Sequence, residues 1–259
     1  MRYLTVDQHR QVVERLVAFA KKHTDVKIHS EGIEYTSLMI CFSLHSIGVA
    51  ESLLALHARF GNEWVPTTTG YLVVRSLFEV DVTAHYISMD PKQRSKRYVN
   101  FERVIRKNAL DAIERNRVSH DSSWREGLQL AYNNEYAPRK AQIEADYNSV
   151  RSTFEDRRGK RAKSWSGKSI YAMAKEVDHV EAYEIFYADL SSFTHVNVQL
   201  ANRFLRLRPN GVSWTMKASA FDVGNVFRYA ATFLTCFLQH FGKVFDGWDA
   251  KTVEACWDF

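Results

Sequence analysis

Arg75 and Glu79 stand four residues apart in the run RSLFE, so a helix would place them on one face within reach of each other. Their neighbours Leu72, Val74, Leu77, Phe78 and Val80 are apolar, so the pair is expected to be partly buried. Two chemistries suit it. The plainer one is an Arg–Glu bridge that fixes helix packing, because a charge inside an apolar run needs a partner. The other is a guanidinium, held by Glu79, that binds phosphate or stabilises transition-state charge. A second set lies in YADLSSFTHVNVQLANRFLR. There Phe193, Val196, Leu200, Phe204 and Leu207 make an apolar face, and Ser191 or Ser192, His195, Gln199, Asn202 and Arg206 make a polar stripe. Ser192 can hydrogen-bond His195 one turn on, and a histidine so held serves as general acid or base near neutral pH. The same stripe also reads as the wet side of a helix.

The run RRGKRAKSWSGKS, residues 157–169, is basic and has no apolar period. Its Gly167-Lys168-Ser169 resembles the end of a phosphate-binding P-loop. Ala162 stands where that motif needs its first glycine, and no strand precedes it, so a true P-loop is excluded. Two readings remain. In one, Gly167 and Ser169 open a helix whose free N–H groups hold a phosphate, helped by Arg157, Arg158, Lys160, Arg161, Lys163 and Lys168. In the other the run is a solvated basic loop. The histidines show no ligand spacing: His45 and His57 lie in an apolar helix and read as hydrogen-bonded core, and His23, His29, His120 and His240 read as surface or cap positions. Without HExxH or a Cys/His cluster, no metal or cofactor is expected. GxSxG and glycine-rich nucleotide fingerprints are also missing, which argues against the familiar hydrolases, kinases and dehydrogenases. Cys41, Cys236 and Cys256 are odd in number and far apart, which suits a reducing, cytoplasmic setting.

The elements that must position these residues are helices. Only 11 glycines and 4 prolines interrupt 259 residues, and 46% of the chain is hydrophobic, enough for a sizeable core. Periodicity predicts helices over 5–23, 33–60, 66–88, about 90–118, 122–156, 168–178, 180–190, 191–206 and 218–245. Pro209-Asn210-Gly211 between alternating residues predicts a small β-hairpin at 205–216. The expected fold is an all-α, irregular multi-helix bundle forming one domain over 1–259, with the basic loop as its only candidate boundary. Helices 33–60, 66–88, 191–206 and 218–245 would form its centre. The two motif helices would then face each other and bring Arg75, Glu79, Tyr187, Ser191 and His195 into one polar pocket. Segments 35–58 and 218–241 are the most apolar, but each carries charged or histidine residues and reads as a buried helix, so no membrane partner is expected. The N-terminus has charges where a signal peptide needs an apolar stretch. A net charge of +5 permits an RNA or nucleotide partner without demanding one. Trp248, Trp257 and Phe259 in the tail could serve a homodimer or another protein partner.

Order and spacing carry a resemblance. The long apolar helix leads to RSLFEVDVTAHYI, then Asp90-Pro91 and RSKRYVNFERV, then W-x-G-x-S-I-x-x-x-A from Trp165 to Ala174, then YADLSSFTHVN. This layout resembles the bacterial domain-of-unknown-function family 5677 over roughly residues 30–205. The family's R-S-L-x-E helix matches Arg75, Ser76, Leu77 and Glu79, and its Y-x-x-L-S-x-x-x-H helix matches Tyr187, Leu190, Ser191 and His195. The resemblance implies helical bacterial proteins and supplies no activity. Families of this general look invite analogy with HEPN nucleases, which act on RNA in toxin and phage-defence systems. A HEPN site needs an arginine four to six residues before a histidine on one helix. Tyr187 to Thr194 supply none before His195, so Arg75 would have to come from a neighbouring helix. Two functions follow as expectations. One is a binding or adaptor protein in which the motif residues form a structural polar network. The other is a metal-independent RNase or phosphodiesterase using His195 and Arg75.

Overall fold

A computed structural model describes residues 4–22, 30–61, 64–118, 124–187, 190–191, 205–214, 219–241 and 248–259. In chain order the elements are α1 (Val6–Lys22), α2 (Ile33–Phe60), α3 (Trp64–Ser88), α4 (Pro91–Asn116), α5 (Arg125–Ala131), α6 (Lys140–Phe154), α7 (Ile170–Glu176), α8 (Val180–Ala182), β1 (Leu205–Arg208), β2 (Gly211–Trp214), α9 (Ala220–Phe241) and α10 (Ala250–Ala255). The class is all-α, as the periodicity predicts. The backbones of β1 and β2 run antiparallel, with Leu205 opposite Trp214 and Arg208 opposite Gly211. The chain divides into two compact units, residues 1–91 with 170–259, and residues 92–169. The second unit ends where the basic run ends.

In the first unit α9 is buried along most of its length. Val223, Val226, Phe227, Ala230, Leu234, Phe237, Leu238 and Phe241 recur at three- and four-residue steps, so one broad stripe enters the core. Each buried phenylalanine contributes about 2 kcal/mol by leaving water. The stripe meets α1, α2 and α3. Glycine at position 70 of α3 allows this closeness, since a Cβ there would lie 2.9 Å from Val226 Cγ1 and 3.2 Å from Leu53 Cδ1. Both α1 and α9 open with side-chain caps. Thr5 N–H donates to Gln8 Oε1 at 2.8 Å and Gln8 N–H to Thr5 Oγ1 at 3.2 Å, a reciprocal pair that satisfies two otherwise unpaired donors. Asp222 N–H donates to Ser219 Oγ at 3.0 Å. By length and composition α2 could cross a membrane; here its Glu51 pairs with Lys21 of α1.

The second unit is built on α4 and α6, whose core is Val104, Tyr147, Val150 and Phe154, with Phe101 and Ala162 against it. One expectation fails here. The stretch expected as a single helix over 122–156 is broken into α5, a π-helical turn at Tyr132–Tyr136, a 3-10 turn at Ala137–Arg139, and α6. The break falls at Pro138, which has no N–H to give and whose ring cannot follow a tight α-turn.

Candidate functional site

The expected pairing in α3 is present and is joined from across the fold. Arg75 Nε donates to Glu79 Oε1 at 2.9 Å, and Arg75 Nη2 donates to the Tyr187 hydroxyl at 2.6 Å. The Tyr187 hydroxyl donates in turn to Glu79 Oε1 at 2.9 Å, which closes a triangle. The guanidinium also lies over the Tyr187 ring, 4.7 Å from its centre. Tyr187 ends a π-helical turn, Tyr183–Tyr187, that continues α8, and its ring packs at a tilt against Phe78 of α3 at 5.5 Å. Burial and then the Glu79 carboxylate push the Tyr187 phenol above its ordinary pKa, partly offset by Arg75, so the hydroxyl keeps its proton and donates it. Burial pulls on Arg75 as well, but Glu79 and Tyr187 outweigh it and hold the guanidinium charged. Ser191, one turn beyond Tyr187, is half-buried and helical, and makes no hydrogen bond to these three among the described residues. His195 lies outside the described residues. Of the five residues expected to converge, the structure brings together Arg75, Glu79 and Tyr187.

The basic run in the second unit is a folded loop. Asp156 Oδ1 accepts from the backbones of Arg158 and Lys160, both at 2.9 Å, and Glu155 bridges Arg161 across an antiparallel pair. From α4, Arg97 donates to the Trp165 carbonyl at 2.6 Å, which pins the far side. Arg161 serves this architecture: it donates to Asp111 Oδ2 at 2.6 Å, to Asn108 Oδ1 at 2.8 Å and to the Tyr147 hydroxyl at 3.1 Å. Burial is the largest single influence and works against its charge, but Asp111 and Tyr147 together outweigh it and raise its pKa. Arg157, Arg158, Lys160 and Lys163 are exposed, whereas Lys168 is half-buried beside Ser166. A wide hollow here is lined by Lys160, Lys163 and Ser164, and also by the carboxylates of Glu155 and Asp156. Those carboxylates oppose an anion.

A third cluster is one the sequence reading did not single out. Asp81 on α3 is 1% exposed, and His85 stands one turn on, with its Nδ1 2.9 Å from the Asp81 carbonyl and 3.3 Å from Asp81 Oδ1. His179, the residue before α8, brings Nε2 to 3.5 Å from Asp81 Oδ2. Its Nδ1 lies 2.7 Å from the Val177 carbonyl, which accepts that ring's N–H. The rings of His85 and His179 are 4.7 Å apart, and His240 of α9 lies 3.9 Å from the His85 ring at an exposed edge. His240, expected as a surface or cap position, thus borders this cluster. Burial draws His85 toward neutrality, but the neighbouring Asp81, through its carboxylate charge and its carbonyl, outweighs that and raises its pKa. Burial, reinforced by the Asp81 charge, pushes the Cys236 thiol up to about 11, so it stays protonated at neutral pH. Asp81 and His85 carried one legible signal, the four-residue spacing DVTAH, whereas nothing in sequence tied His179 to them.

A broad hollow between α1 and α9 is lined by Val6, His9, Phe221, Asn225, Arg228 and Trp257, with a volume of about 870 Å³. Phe221 stands 71% exposed beside it. The tail aromatics, expected as a partner surface, also have partners within the chain. Trp257 Nε1 donates to Thr235 Oγ1 at 3.0 Å, and Trp248 packs on Phe19 at 5.4 Å. Phe259 is exposed by 46%, with Arg15 over its ring.

A family model described as a family of unknown function (DUF5677) matches residues 67–212, more than half of the chain. The match takes in α3 and α4 through β1, and so spans Arg75, Glu79, Asp81, His85, His179, Tyr187 and the basic run. No curated protein and no solved structure matches the chain.

Proposed function

The chain belongs to DUF5677, a family of unknown function, and from that premise we propose that it is a binding or adaptor protein in which Arg75, Glu79 and Tyr187 hold the fold. The closed triangle of hydrogen bonds carries this reading. Each of the three groups satisfies the other two, and together they fasten the turn at 183–187 to α3. A site built for phosphate would keep its guanidinium turned toward the substrate; here Arg75 is turned inward to Glu79 and Tyr187. The partner is a protein, and the hollow between α1 and α9 with exposed Phe221 is the surface the reading assigns to it. A second copy of the chain is one form that partner can take. Three free thiols suit a cytoplasmic setting.

One observation favours a second reading. The side chains of Arg75 and Glu79 are 22% and 36% exposed, so a phosphodiester could reach the guanidinium. In that case Arg75 and His195 would serve a metal-independent RNase of a bacterial toxin or phage-defence system. Melting curves and RNA cleavage by wild type, Arg75→Ala, Tyr187→Phe and His195→Ala separate the two. On the binding reading, Arg75→Ala and Tyr187→Phe each lose about 1–2 kcal/mol of stability, and wild type leaves RNA intact. If those variants melt like wild type, and only wild type cleaves RNA, the phosphodiesterase reading replaces it.

A further inference from the structure

We propose that Asp81, His85 and His179 bind a divalent transition-metal ion of the zinc class, which clasps the start of α8 to α3. This goes beyond the binding role above and does not depend on it. One ligand atom from each of the three residues lies within 4.8 Å of the others. Around a tetrahedral zinc with bonds near 2.0–2.2 Å, ligand atoms sit about 3.4 Å apart. His179 Nε2 and Asp81 Oδ2 already stand at 3.5 Å, and the widest gap, at most 4.8 Å, closes by no more than about 1.4 Å with side-chain rotation.

The second observation is the carboxylate. Asp81 is 1% exposed, and its Oδ1 has no hydrogen-bond donor among the described residues. His85 Nδ1 stands 3.3 Å from that oxygen but 2.9 Å from the Asp81 carbonyl, and one N–H cannot serve both well, so the carbonyl takes it. A buried carboxylate oxygen without a donor is costly, and a bound cation removes the cost. The His179 ring is also oriented as a ligand histidine is. His179 gives its Nδ1–H to the Val177 carbonyl, which fixes the tautomer and leaves a lone pair on Nε2 toward Asp81. Two imidazoles and one carboxylate suit zinc, cobalt or iron(II) better than magnesium or calcium, which prefer oxygen throughout. Three protein ligands leave a fourth position for water, and His240 stands at the exposed edge beside His85.

The test uses the full chain, stripped with a chelator, and titrated with Zn²⁺ against a chromogenic competitor. Wild type should take up one tight equivalent and melt at a higher temperature with it. His179→Gln should bind more than about tenfold more weakly, while Cys41→Ser, which removes the exposed thiol, should bind as wild type does. A second arm needs no variant. Co²⁺ should give the visible absorption of a tetrahedral site and broaden the imidazole NMR signals of His85 and His179 before those of other histidines. The proposal is overturned if wild type takes up no stoichiometric Zn²⁺, if His179→Gln binds as tightly, or if Co²⁺ broadens other histidines first. Any of these outcomes leaves the Arg75–Glu79–Tyr187 reading standing, since that rests on stability and RNA cleavage.

Discussion

Several charged side chains among the described residues pair with one another, and the environment of each decides what it can still do. Asp111 shows this at the level of a single group. Burial is the largest single influence and raises its pKa, but Lys107 and Arg161, which both hydrogen-bond its carboxylate, together outweigh it and lower the pKa below the ordinary carboxylate value. A carboxyl whose folded pKa is depressed stabilises the fold above its unfolded pKa, and loses that contribution as pH falls through the folded value. Asp111→Asn should therefore cost about 1 kcal/mol at neutral pH, with solvent screening keeping the figure small. In melting curves across pH, the gap to wild type should close as pH drops below the carboxylate range. A gap that stays constant down to acid would remove the charge from the account. The Arg75–Glu79 pairing was legible because helical periodicity fixes which side chains share a face. Tyr187, as the third member, was legible only through family resemblance, since its spacing from Arg75 carries no local rule.

Among the elements, the connection from α7 to α8 shows how the backbone sets a site. The N–H of His179 donates to the Ala174 carbonyl at 2.7 Å, and that of Val177 to Met173 at 3.1 Å. Between them Asp178 adopts φ +60°, the left-handed conformation that closes a helix end. Glycine takes this conformation without strain, whereas a residue with a Cβ is held there at a cost of about 1 kcal/mol. Asp178→Gly should accordingly raise the melting temperature by a few degrees, roughly 2–4 °C per kcal/mol in a chain of this size. A lowered value would mean that the Asp178 side chain contributes more than its backbone costs. The same turn delivers His179 to Asp81. From the sequence it reads as a break between two short helices, without a direction. By contrast α2 was legible to its end residues, because an apolar run closed by Gly61 leaves little choice of register.

On the scale of the whole molecule, two cores share one chain. Phe154 is 2% exposed in the core of the second unit, and Leu234 is fully buried in that of the first. Truncating Phe154 to alanine should cost about 3–5 kcal/mol. Hydrogen exchange should then accelerate in α4 and α6 while the amides of α9 keep their protection. Equal acceleration in α9 would show that the units unfold as one. The net charge of +5 is likewise a property of the whole chain. Its most basic run folds around the carboxylate of Asp156 and leaves Arg157, Arg158, Lys160 and Lys163 exposed.

By itself the sequence determined the helical class, the long central helices and the Arg75–Glu79 face. These follow from interactions within a few residues, where composition and periodicity act directly. Tertiary structure decided what local rules cannot reach. It placed Tyr187 on Arg75 across 112 positions and set His179 against a buried Asp81. It also turned Trp257 inward to Thr235 and engaged Arg161 with Asp111. Each of these is a pairing of distant groups, fixed by which helix faces pack together.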